Sequence, residues 1–195
     1  MRKYLLYILI ISFVCTLASI LNAASVVEKV IETYEQAVKR NPDDAKAHFN
    51  LGVTYETFGK YKEAIEAYKQ AITIKPDYAE VHNNLGIVYG NLGKYNDEIK
   101  AYKQAISCDS DHAAAHCNLG TAYSVLGKYK EAIDSLKQAI MINPDFAKAH
   151  FNLGYTYILL NDDASALKQH LILKPLDSEL ANKLFNLIIS SKGVE

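Results

Sequence analysis

The sequence predicts an all-α fold, a solenoid of stacked helical hairpins, on three observations. The first is a strict period. His48, His82, His116 and His150 lie 34 residues apart, and the same step carries Asn50, Asn84, Asn118 and Asn152. Leu51, Leu85, Leu119 and Leu153 repeat with them, as do Gly52, Gly86, Gly120, Gly154 and Tyr55, Tyr89, Tyr123, Tyr157. A fixed period of this length marks an array in which each hairpin buries its apolar face against its neighbours. The second observation is the spacing inside the period. His48, Leu51, Gly52 and Tyr55 fall at i, i+3, i+4 and i+7, one stripe of a helix, and Ala64, Ile65, Tyr68, Ala71 and Ile72 form another. The third is punctuation. Gly59, Gly93 and Gly127 end the first helix of each pair. Pro42-Asp43, Pro76-Asp77 and Pro144-Asp145 stop the second, with the aspartate placed to cap the helix that follows.

Residues 1–24 stand outside the period. Arg2 and Lys3 precede an apolar run from Tyr4 to Leu21, and Asn22-Ala23-Ala24 follows. Basic start, apolar run and small residues come in the order of a secretory signal peptide. The run is also near the ~20 residues that span a bilayer, so an uncleaved signal-anchor is the other reading. In both, the basic start stays cytoplasmic and the remainder is exported, periplasmic or secreted after cleavage or anchored by residues 4–21.

Residues 25–44 form a half-repeat: Tyr34, Ala37 and Pro42 match the second-helix phase, and Ser25-x-x-Glu28 opens the helix as a capping box. Full repeats then run 45–78, 79–112, 113–146 and 147–177. Glu98 departs from the pattern, standing where Ala64 and Ala132 stand, at a tight helix crossing. Ser110 replaces the proline of the second repeat. In the fourth, Ala166-Leu167-Lys168-Gln169 and Lys174-Pro175 echo Ala67-Tyr68-Lys69-Gln70 and Lys75-Pro76 three residues early. The sequence therefore predicts that the Gly-Lys-Tyr turn is lost there and that Asn161-Asp162-Asp163 makes a shorter connection. Residues 178–195 follow as a capping helix and tail, with Leu180, Leu184, Leu187 and Ile188 as its apolar stripe.

His48-x-x-Leu51-Gly52-x-x-Tyr55, followed by Ala64-x-x-x-Tyr68 and Pro76, resembles the tetratricopeptide repeat (TPR), and the likeness covers Ala45 to about Asp177. The Ala45-to-Gly52 phrase is most similar to the repeats of O-GlcNAc-transferase-type superhelices. The resemblance implies a right-handed α-solenoid with a concave groove lined by first helices. No catalytic domain is expected, since a capping helix and short tail alone follow the repeats.

Composition bounds the chemistry. A formal charge of −1 gives no electrostatic footprint for nucleic acid. There is no Gly-rich phosphate loop, nucleophile elbow or CxxC pair. The four in-phase histidines sit on helices roughly 8–10 Å or more apart, whereas ligands of one metal must lie within about 4 Å of one another. They are assigned to packing. His112 and His116 share an i, i+4 spacing without a partner carboxylate motif, so no metal and no cofactor is expected. Cys108 and Cys117 could pair in an exported compartment or serve as small apolar fillers.

Asn50, Asn84, Asn118 and Asn152 each precede the buried leucine and point ~100° away from it. Asn50 shares its helix face with Lys46, Phe49, Val53 and Thr57. A side-chain amide offers a donor and an acceptor, matching a peptide backbone. Rungs every ~10 Å meet every third residue of a ligand that rises ~3.3 Å per residue. The resemblance implies this use, an asparagine ladder gripping an extended peptide. The alternative is that each amide bonds a neighbouring helix end. Phe49, Asn83 and Phe151 at one phase, and Thr121 and Tyr155 at another, complete the expected lining. The Lys/Arg clamp of TPR co-chaperones is not matched: Phe49, Val53 and Ala114 occupy its positions and Asn84 alone fits. The sequence thus predicts a non-catalytic module that binds an unidentified protein or peptide as an adaptor or scaffold in the cell envelope. A structural subunit of an envelope assembly, such as a pilus or secretion complex, is the alternative.

Overall fold

A computed structural model describes residues 25–191. The signal peptide or signal-anchor expected at 1–24 lies outside the described residues. Among those described, no helix is long and apolar enough to cross a membrane. The chain divides into two compact units, one ending at Ile74 and the other beginning at Lys75.

The first unit holds α1 (25–40), α2 (Ala45–Thr57) and α3 (Tyr61–Ile74). Asp44 caps α2, its carboxylate accepting from the N–H groups of Lys46 at 2.8 Å and Ala47 at 3.3 Å. The α2–α3 hairpin closes because Gly52 has no side chain: a Cβ there would stand 2.5 Å from the ring of the fully buried Tyr68. Tyr55 ties α2 to α1, its hydroxyl donating to Glu35 Oε1 at 2.6 Å.

In the second unit α4 (Ala79–Asn91) pairs with α5 (Tyr95–Cys108), α6 (Ala113–Val125) with α7 (Tyr129–Ile142), and α8 (Ala147–Leu159) with α9 (Asp163–Leu176). Each second helix also packs on the following first helix, and the first helices α4, α6 and α8 touch in succession. The described residues are thus the all-α hairpin solenoid that the period predicts. Its final helix, α10 (Ser178–Ser191), covers α8 and α9, burying Ala181, Leu184 and Ile188 against Ile158, Ala166 and Leu173.

The structure corrects two local expectations. Asp43, Asp77 and Asp145 do not cap: the N-cap falls one residue later, at Asp44, Tyr78 and Phe146, and of these Asp44 alone makes a side-chain cap. The helix starts are tied down instead by the periodic histidines. Nε2 of His48, His82, His116 and His150 bonds the carbonyl six residues upstream, on Pro42, Pro76, Ser110 and Pro144, at 2.8 to 3.1 Å. The bond uses a backbone carbonyl, so Ser110 serves as well as proline.

The fourth connection is also not shorter. Helix α9 starts at Asp163, in phase with Tyr61, Tyr95 and Tyr129. Asn161 takes the glycine's place with φ 58°, beside 71°, 68° and 72° at Gly59, Gly93 and Gly127. The closing bonds match: Lys60, Lys94, Lys128 and Asp162 each donate a backbone N–H to the tyrosine five residues earlier at 2.8–2.9 Å. That is the Schellman closure of a helix end, and asparagine is the residue besides glycine that most readily adopts its left-handed backbone. The three-residue shift falls at Asp177, the single residue between α9 and α10, and Pro175 lies within the last turn of α9.

Candidate functional site

In the second unit, the first helices carry two neighbouring rows of hydrogen-bonded polar side chains, together a polar track. Lys148 Nζ donates to Asn118 Oδ1 at 3.5 Å, Asn118 Nδ2 to Asn83 Oδ1 at 3.0 Å, and Asn83 Nδ2 to Asn84 Oδ1 at 3.3 Å. Beside it, Asn152 Nδ2 donates to Thr121 Oγ1 at 2.8 Å, and Thr121 Oγ1 to the Cys117 carbonyl at 2.9 Å. These bonds step from α8 to α6 and from α6 to α4, because the 34-residue period brings each asparagine beside its counterpart's neighbour. Among the described residues Asn84 Nδ2 and Asn152 Oδ1 have no hydrogen-bond partner, so donor and acceptor capacity remains on the half-buried amides.

Two cavities open along this track. One, of about 370 Å³, is lined by Asn118, Thr121 and Lys148 together with Tyr95, Glu98 and Tyr102 of α5. The next, of about 300 Å³, is lined by Thr121, Asn152, Val125, Tyr129, Tyr155 and Leu159. Thr121 borders both. Val125 and Tyr155 are exposed, at 65% and 41%, at the mouth of the second.

In the phase of Phe49, Asn83, Cys117 and Phe151, the middle pair is buried and the two phenylalanines are half-buried. Asn83 is buried and acts as the bridge between Asn118 and Asn84, Cys117 is fully buried, and Phe151 packs on the core under α10 with Lys183 Nζ 5.4 Å above its ring. Phe49 leans on Tyr68, ring centroids 6.1 Å apart. Asn83 and Cys117 point between successive first helices, where packing claims them. Burial pushes the Cys117 thiol up, against the opposing pull of Lys148 and Asn152, and both Cys108 and Cys117 are free thiols. Asn50 and Lys46 belong to α2 in the first unit, Asn50 half-buried and Lys46 exposed.

Sequence reasoning missed Tyr95, Tyr129, Val125 and Leu159. A signal was present: Tyr95 and Tyr129 recur at the 34-residue step inside the turn phrase, and Val125 and Leu159 recur one helical turn after Thr121 and Tyr155. Glu98 was visible as a departure. Its accommodation was not, because it depends on Gly90 across the hairpin, where a Cβ would come 2.7 Å from Glu98 Oε1.

Stacked helical hairpins that expose amides, tyrosines and shallow cavities on one face, and devote their histidines to helix ends, define a helical-repeat interaction module. The chain belongs to the tetratricopeptide repeat family: the TPR repeat matches residues 59–93, 91–127 and 122–161, and a second tetratricopeptide repeat model matches residues 33–66. Proteins of this family are generally non-catalytic scaffolds for protein or peptide partners. A comparison with curated proteins finds no match. Among solved structures the chain is similar to MamA, at 24% identity and TM-score 0.72, over 83% of this chain and 94% of that one. It is similar to TTC0263, a thermophilic TPR protein of Thermus thermophilus, at 23% identity and TM-score 0.70, over 87% and 94%. It is also similar to YrrB, described as a TPR protein with an unusual peptide-binding site, at 21% identity and TM-score 0.67, over 87% and 88%. These likenesses establish the fold.

Proposed function

We propose that the protein is an adaptor or scaffold of the cell envelope that holds an extended polypeptide along the inner face of α4, α6 and α8. The observation that carries this reading is the linked amide track. Asn84, Asn118 and Asn152 recur at one phase; Asn118 and Asn152 are oriented by hydrogen bonds from helix to helix and border two adjoining cavities, and Asn84 is held by Asn83 of its own helix. Amides fixed before binding lose little freedom on gripping a ligand backbone, which favours affinity from few contacts. Asn50 offers the same group on the first unit. That YrrB is described as having a peptide-binding site supports the reading.

The test is capture of random peptides by the wild-type protein and by a variant with Asn84, Asn118 and Asn152 all changed to alanine. Loss of capture by a variant with an unchanged helical spectrum supports the track as the binding element. Undiminished capture removes it. The envelope location rests on Arg2, Lys3 and the apolar run to Leu21. Intact-mass measurement on protein from fractionated native cells distinguishes a cleaved from an anchored form, and a full-length cytoplasmic species overturns export.

A further inference from the structure

The 370 Å³ cavity holds a carboxylate that packing alone does not require. Alanine occupies the position of Glu98 in the other hairpins, as Ala64, Ala132 and Ala166. Glu98 fits because Gly90 faces it with no side chain. Its protein partner is the Tyr102 hydroxyl, and burial holds its carboxyl above the ordinary glutamate value despite that bond. No cation lies within ion-pair distance of it among the described residues. Lys148, a cation that also lines the cavity, donates to Asn118 Oδ1 instead. A half-buried carboxylate has lost part of its hydration, and an ammonium or guanidinium entering the cavity restores a charged partner at short range. The ring of Tyr95, 43% exposed, stands at the same opening and offers an electron-rich face to a cation.

We propose that this cavity receives a lysine or arginine side chain of the bound polypeptide, paired with Glu98 and flanked by Tyr95 and Tyr102. The assignment rests on the peptide-binding reading above and adds sequence preference to a backbone grip that has none.

The experiment selects phage-displayed random dodecapeptides on immobilised full-length protein. Three folded variants are compared with wild type: Glu98→Gln, Glu98→Ala (the residue the other hairpins use) and the triple asparagine-to-alanine variant. Expected is enrichment of Lys or Arg at one position of the wild-type pool. Peptides from that pool should bind both Glu98 variants roughly tenfold more weakly, the scale of one desolvated charge pair. Pools that bind well but show no basic preference, or a preference unchanged in both Glu98 variants, overturn the cavity assignment and leave the groove intact. A wild-type protein that retains no peptide overturns the groove itself, and the assignment with it.

Discussion

The hydroxyl of Tyr68 donates a 2.6 Å hydrogen bond to Glu56 Oε2 across the first hairpin. The equivalent tyrosine of the next hairpin, Tyr102, meets a carboxylate from its own helix, Glu98. Between the two repeats the carboxylate has changed helices: Glu56 faces Ala64 in one, and Gly90 faces Glu98 in the other. In the third hairpin Leu136 replaces the tyrosine, and both carboxylate positions become Ser124 and Ala132. The donor and its acceptor come and go together, as a buried hydroxyl requires. Tyr68→Phe leaves Glu56 half-buried without that donor, a loss of about 1–2 kcal/mol in urea denaturation. Tyr102→Phe should behave alike, and an unchanged midpoint in both would show that water satisfies these carboxylates.

Burial raises the carboxyls of both Glu56 and Glu98, with the tyrosine bond opposing it. The folded state therefore binds these protons more tightly than the unfolded chain. Their contribution is fully present below the unfolded glutamate value and is lost as pH rises through the folded values. Melting temperature should climb on acidification across that window, and less so in Glu56→Gln and Glu98→Gln. Asp162 works the other way in a lower window. Hydrogen bonds from Ser165 lower its carboxyl, so its capping of α9 fades as pH falls through its depressed value.

Gly52 and Gly90 both lie in first helices but should answer differently to alanine. At Gly52 the new Cβ meets the Tyr68 ring at 2.5 Å, and that ring is fully buried. Overpacking of about 1–3 kcal/mol exceeds the ~1 kcal/mol helix-propensity gain, so Gly52→Ala destabilises. At Gly90 the obstacle is the end of the flexible Glu98 side chain, which can swing away at the expense of its bond to Tyr102. Gly90→Ala should therefore cost less than Gly52→Ala, its ~1 kcal/mol helix-propensity gain offsetting much of the lost bond. Thermal melts of the two variants decide the comparison.

Asn161 holds a left-handed backbone that glycine holds in the other three turns. Asn161→Gly should preserve or slightly raise stability, whereas Asn161→Val should cost about 1–2 kcal/mol or more. Equal melting of the two would mean that the turn can re-form without a positive φ.

The hairpin array was legible because period and stripe are carried by residue types that packing admits at few other places. The fourth turn misled because Ala166-Leu167-Lys168-Gln169 mimics an earlier phrase by composition, while Asn161 performs the glycine's conformational task under another name. The caps at Asp77 and Asp145 were misplaced by one residue, since the stabilising bond comes from a histidine ring four positions into the helix. Of the expected lining, Asn118, Asn152, Thr121 and Tyr155 border the two cavities, whereas Asn83 is buried and Phe151 packs half-buried against the α8–α10 core. Whether a side chain next to a buried stripe faces solvent or the adjoining helix depends on the angle between repeats, which one chain's letters do not carry.

The bonds from Lys148 to Asn118, from Asn118 to Asn83 and from Asn152 to Thr121 all donate from a later helix to an earlier one. Such a row is not symmetric under reversal. It begins from a cation on α8 and ends on α4 in Asn84, an amide whose oxygen already accepts and whose N–H groups are left to give. A strand laid along it and the same strand laid backwards are therefore different ligands, so the face carries an arrow as well as a pattern.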